Sequence, residues 1–209
     1  MPPTNKPPTN KWEERVVPRT EQQNQQIRDE RQEQILQAAL KVFARRGMAA
    51  AKISDIAAEA GLSHGLVYHY FKSKEEIFFT LVKKALQGSA LVIQYARQQE
   101  GSPLQKLRWM TDMILQSIAG DGAYLFLIMM QAFTSDAVPG EVKQMMDDEL
   151  AFSAIKATVP LIKAGQLNGE MVQEDPEKLA VLYYSVIQGL AISKIQWKDC
   201  PLPDADMVL

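Results

Sequence analysis

The side chains best equipped for chemistry lie close together. In the stretch GLSHGLVYHYFKSKEE, residues 61–76, His64 and His69 flank Tyr68, and Tyr70 and Lys74 follow. Imidazole and phenol groups transfer protons, ligate metals or hydrogen-bond to base edges, so their spacing has to decide between these uses. Histidines five residues apart project from diverging faces of a helix, whereas a paired metal site uses i,i+4. No phosphate loop, poised nucleophile or acid-base pair accompanies them. The sequence therefore predicts no catalytic residues, no metal site and no cofactor, and an enzyme is the last of the readings it supports. Asp147, Asp148 and Glu149 read as solvated helix surface, and the one cysteine, Cys200, cannot form an internal disulfide.

Short helices must position these side chains. Ile35, Ala38, Ala39, Val42 and Phe43 repeat at helical spacing from Arg28 onward, and Gly47 closes that helix. In KISDIAAEAGLS, Ile53, Ile56, Ala57 and Ala60 share one face and Gly61 ends the run. Ser63 is a good N-cap for a third helix, which turns Val67, Tyr70 and Phe71 inward and His64, Gly65, Tyr68 and His69 outward. Two short helices joined by a glycine-containing turn form a helix-turn-helix. An outward face of imidazoles, a phenol and bare glycine backbone suits a DNA major groove, with His64, Gly65 and His69 as candidates for base readout. Ser73 and Glu76 then predict a capped start for a fourth helix at Lys74, whose N-terminus could receive a phosphate.

The charge is distributed to match. The net charge is −2, yet residues 28–84 carry ten Lys/Arg against seven Asp/Glu, whereas residues 85–209 carry nine against fifteen. A basic N-terminal third followed by an acidic remainder suggests that the first part meets a polyanion. The proline- and glutamine-rich residues 1–26 read as a disordered arm whose few cations could graze a phosphate backbone. The most apolar stretch, Ala123 to Phe133, is too short to span a bilayer, so no membrane association and a cytoplasmic location are expected.

From Ile35 to Leu81 the motifs FARRG and ISDIAAEAGLSHGLVYHYFKSKEEIF resemble the DNA-binding domain of the tetracycline-repressor (TetR) family of regulators. One departure is that Ala51, followed by Lys52, stands where the family caps helix two with Thr or Ser. The resemblance implies contacts to double-stranded operator DNA from Lys52, Ser54, Ser63, His64, Gly65, Leu66, Tyr68, His69, Tyr70 and Lys74. Tyr68, Tyr70 and Lys74 match positions that touch the phosphate backbone. It also implies a C-terminal bundle that binds a small-molecule effector and forms a homodimer.

That bundle is read as all-α. Helices are expected over Lys74 to Gln98, Pro103 to Ala119 and Tyr124 to Phe133, then from Pro139-Gly140 with a kink or division at Pro160, and last from Asp175-Pro176 to Trp197. The domains expected are an arm (1–26), the helix-turn-helix (27–73), an effector-binding and dimerisation domain (74–199) and a tail (200–209). Trp109, Met113, Tyr124, Met129 and Phe133 are the candidates to line an apolar pocket, with Tyr124 and Gln131 orienting the ligand. Residues 142–166 and 177–197 are the expected dimer face, with Leu179, Leu182, Tyr183, Val186, Ile187 and Leu190 as one apolar stripe. The function expected is that of a ligand-released repressor. The alternatives are an activator of the same family and a small-molecule-binding helical protein with a vestigial helix-turn-helix, the weak cap at Ala51 being the support for the latter.

Overall fold

The structure, a computed structural model, describes residues 21–147, 153–197 and 199–209. The expected arm lies outside these residues except for its last six, and the acidic run at Asp147 to Glu149 also falls at or beyond their edge. The described residues form ten helices and no strand: α1 (Glu21–Ala50), α2 (Ile53–Ala60), α3 (His64–Tyr70), α4 (Lys74–Gln98), α5 (Pro103–Ala119), α6 (Gly122–Thr134), α7 (Gly140–Asp147), α8 (Ser153–Leu167), α9 (Pro176–Gln196) and α10 (Ala205–Val208).

Helix α1 starts at Glu21, seven residues before the expected Arg28, because side-chain pairs such as Gln25–Asp29 and Gln26–Glu30 support a turn-rich polar extension. Its helical path ends at Gly47, where φ 75° and ψ 157° define a conformation open to glycine alone among the common residues. Pro160 does not divide a helix; it sits inside α8. The proline removes a donor to the Lys156 carbonyl, and the neighbouring Ala157 carbonyl is bonded by the Arg97 guanidinium of α4.

The apolar residues gather in two large clusters and a small one. The first joins α1 to α4 with Ile128 and Ala132 of α6 and Val142 and Met146 of α7. It therefore crosses the boundary drawn at residues 73/74, and helices α1 to α3 share a core with part of the bundle. The second cluster joins α4, α5, α6, α8 and α9 around Met110, Ile118 and Ile187. Side chains this fully buried contribute about 1.5–3 kcal/mol each, which is how the seven-residue α3 persists with Val67 and Phe71 as its anchors.

Candidate nucleic-acid interface

The helix-turn-helix is assembled from helix caps and from cross-links between α1 and α2. The N-cap of α2 is Lys52, one residue later than Ala51, which is buried just ahead of it. Lysine has no acceptor, so one half of a capping box is missing; the other half is present, with the Asp55 carboxylate accepting the Lys52 N–H at 3.1 Å. At the other end Gly61, at φ 65° and ψ 31°, closes α2, and the Leu62 N–H bonds the Ala57 carbonyl at 2.9 Å. Gln34 of α1 donates to the Ala60 carbonyl, Arg45 grips Glu59 through both guanidinium nitrogens, and Arg46 pairs with Asp55 at 3.0 Å. The two arginines of FARRG thus staple α1 to α2. Ser63 caps α3 by accepting the Leu66 N–H at 3.2 Å.

On this frame α3 presents His64, Gly65, Tyr68 and His69 to solvent, with Tyr68 49% exposed. The rings lock one another edge-to-face: His64 on Tyr68 at 4.9 Å and His69 on Tyr70 at 5.2 Å between centroids. Tyr70 is half-buried against the first cluster, Leu66 is half-buried, and Ser54 is exposed on α2. Around Gly65 an added Cβ would meet no heavy atom within 4 Å, so nothing inside the chain requires glycine there.

The cations are arranged differently from expectation. The Lys74 ammonium donates to three backbone carbonyls, those of Met48, Ala49 and Ala51, at 3.0, 2.8 and 3.0 Å. All three ammonium protons of Lys74 are spent on these carbonyls in this structure, where the resemblance implied a phosphate contact. At the N-terminus of α4, Ser73 caps the Glu76 N–H, and the Glu76 carboxylate accepts the Lys72 N–H at 2.6 Å. Among the described residues the exposed Lys52 and Lys72 make no ion pair; the first caps α2 and the second follows α3 in the chain. Lys72 was not anticipated, although its place directly after Phe71 is the signal that could have found it.

Residues 35–81 match the family model described as bacterial regulatory proteins, tetR family. The repressor BepR of Brucella suis biovar 1 (strain 1330) is 28% identical over 168 residues, covering 77% of this chain and 78% of that one. The crystal structure of MbdR from Azoarcus sp. CIB superposes with a TM-score of 0.70 at 22% identity, over 81% of this chain and 88% of that one. FadR from Bacillus subtilis, in complex with stearoyl-CoA, has the same fold at a TM-score of 0.61 and 21% identity, over 84% and 94%. Over residues 35–81 the chain belongs to the tetR family. It is a transcriptional regulator with a DNA-binding helix-turn-helix.

The bundle of this tetR-family regulator does not bring the five expected effector residues together. Trp109 is half-buried in the second cluster, whereas Tyr124 and Met129 pack on the first, and Met113 and Phe133 are exposed at 39% and 50%. Gln131 is spent on α1, accepting the Met48 N–H and donating to the Phe43 carbonyl. The polar groups that do enter the second cluster are hydroxyls missed by sequence reasoning. Thr111 donates to the Leu107 carbonyl and so accepts from Tyr183; Thr158 donates to the Ala154 carbonyl and so accepts from Tyr184. Burial pushes both phenols above their ordinary range.

A groove of about 390 Å³ does open between α1 and α4, but Asp29, Glu33 and Glu76 line it with Lys84, which is not an apolar lining. The Lys84 hydrogen bond holds the Glu33 carboxyl below its usual range.

The expected α9 stripe also divides. Ala180, Tyr183, Ile187 and Ala191 face the bundle's own core, and Ile187 is wholly buried. Val181, Leu182 and Val186 face outward, 50%, 61% and 38% exposed.

Proposed function

We propose that this regulator binds a two-fold symmetric DNA site as a homodimer, represses from that site, and is released by a small apolar effector. The observation that carries the reading is α3: a rigidly capped helix, anchored by buried Val67 and Phe71, that turns His64, Gly65, Tyr68 and His69 to solvent. Residues 27–73 supply the DNA contacts. His64, Gly65 and His69 meet base edges, and Ser54, Ser63, Leu66, Tyr68 and Tyr70 meet backbone or methyl groups around them. The phosphate anchors are Lys52 and Lys72, whose ammonium groups are exposed.

Dimerisation uses the outward face of α9. Val181, Leu182 and Val186 are exposed apolar residues that a second copy would bury across a two-fold axis, which sets the two α3 helices one or more DNA turns apart. The effector belongs in the second cluster beside Trp109, where Phe126 and Met171 are half-buried and adaptable. The stearoyl-CoA held by FadR makes acyl-CoA thioesters the first class to test. Selection of duplexes from a random pool is the deciding experiment. The expected result is an inverted repeat, bound as a dimer and released by an acyl-CoA that also changes Trp109 fluorescence. Recovery of no preferred sequence would refute the DNA-binding role.

A further inference from the structure

Residues 199–209, expected to be a tail, double back onto the bundle. After α9 the Cys200 N–H bonds the Trp197 carbonyl at 2.9 Å and turns the chain. Pro201 and Pro203 then bracket Leu202, which limits the conformations open to this stretch, and Asp204 accepts the Met207 N–H at 3.0 Å to start α10. Helix α10 packs on α5. Ala205 is buried, and Leu202 and Val208 are half-buried in the second cluster, which also holds Trp109. The Asp206 carboxylate pairs with Arg108, the residue before Trp109. The docking is shallow. The two charged side chains are 48% and 61% exposed, so their pairing contributes little, and a four-residue helix does not stand alone.

We infer that residues 200–209 are a strap that closes the α5 flank of the second cluster and lifts to let an apolar ligand in and out. The inference rests on the placement of the effector in that cluster and adds the route to it. Lifting costs far less than unfolding, because only one buried methyl, two half-buried side chains and an exposed ion pair leave their seats. Closing is directed. The two prolines and the Asp204 cap hold the strap near its docked shape, so it returns to the same seat. A strap of this kind sets rates: it must lift both for entry and for exit, so it slows the two alike and leaves the equilibrium affinity unchanged. A wall of the site would instead change affinity, chiefly through the rate of exit.

The test uses the full chain carrying Trp12→Phe and Trp197→Phe, which leaves Trp109 as the one tryptophan. In this parent, Ala205→Arg cannot fit its buried seat and should lift the strap while every residue of the bundle stays in the chain. Deleting residues 200–209 should act the same way, whereas Met207→Arg, at a site 76% exposed, should behave like the parent. Lifting the strap should raise acrylamide quenching of Trp109 about twofold or more. The change in Trp109 fluorescence caused by stearoyl-CoA should then rise and reverse about tenfold faster, with Kd within about twofold. In the parent, the Met207 and Leu209 amides, bonded only to Asp204 and Ala205, should exchange well before those of α5. Several results would overturn the strap: unchanged quenching in Ala205→Arg, a Kd altered through exit alone, exchange at Met207 and Leu209 in step with α5, or loss of cooperative melting in both strap variants. If stearoyl-CoA changes Trp109 fluorescence in none of these proteins while quenching still rises, the placement of the effector falls and the closure of the α5 flank stands. Normal stearoyl-CoA binding with unchanged quenching and rates defeats the strap alone.

Discussion

Replacing Gly65 with alanine separates what the fold needs from what DNA needs. Gly65 is the second residue of α3, after the Ser63 cap and His64, and an added Cβ there meets nothing within 4 Å. In a helix interior alanine is favoured over glycine by about 0.5–1 kcal/mol, and the lower end applies in a first turn. For a chain of 209 residues, about 0.5 kcal/mol raises the melting temperature by roughly 1–2 °C. Against DNA the same methyl meets a surface already in contact, and overpacking costs about 1–3 kcal/mol, a loss of roughly 5- to 150-fold in affinity. Gly88 is the control: it lies exposed on α4, where an added Cβ also meets nothing, so Gly88→Ala should stabilise without touching DNA. Melting followed by circular dichroism and anisotropy on the recovered duplex measure both quantities. A Gly65→Ala protein that melts higher and still binds like wild type refutes the placement of Gly65 against DNA.

The remaining expectations follow from the corrected geometry. Leu182→Arg should give folded monomers with weakened DNA binding, measured by sedimentation, whereas Ile187→Arg should unfold the bundle, because an unpaired charge at a wholly buried site costs several kcal/mol. Lys52→Ser should stabilise the protein by about 0.5–2 kcal/mol in denaturant melts through a completed α2 cap. The same change should lower the salt slope of DNA binding by about 0.9, and an unchanged slope would remove Lys52 from the phosphate anchors. His69→Ala should relax preference at particular base pairs by about 1–3 kcal/mol each; an identical consensus from a repeated random-pool selection would show that His69 reads no base.

What was legible in the sequence was what neighbours along the chain decide. Ser63 three residues before Leu66, Gly61 after Ala60, and Ser73 before Glu76 are local capping relations, and each appears as a hydrogen bond or a turn where the spacing put it. Helix faces were harder. In α9 the apolar residues Leu182, Tyr183, Val186 and Ile187 come in adjacent pairs, and a 100° rotation per residue sends the members of a pair toward different neighbours. Periodicity alone leaves open which member of each pair meets the chain's own core. Packing against α6 and α8 chose Tyr183 and Ile187 and left Leu182 and Val186 outside.

The least legible feature was the use of Lys74. A lysine at a helix start beside a presumed groove has the signature of a phosphate contact, because local sequence supplies nothing else to hold it. The competing partners are carbonyls 23 to 26 residues earlier in the chain. They converge only because Gly47 turns α1 aside and Phe43 and Phe78, edge-to-face at 5.4 Å, bring α4 alongside. For an ammonium, three neutral carbonyls arranged in advance compete well with a mobile, hydrated phosphate, since each charge-assisted bond contributes about 1.5–3 kcal/mol and none needs DNA to be present. Motif position therefore says that Lys74 matters, and the tertiary structure says what it holds. The same holds for Gln131, whose amide has no local reason to face α1 until Ile128 and Ala132 bury that side of α6. If DNA binding pulled Lys74 away from its carbonyls, the Gly47 turn would lose three of its five side-chain bonds in the bound state. Amide exchange at Met48 and Ala51 would then quicken on adding the duplex. Exchange at both amides that stays as slow in the complex as in the free protein would show that Lys74 keeps its carbonyls on DNA and is no phosphate anchor.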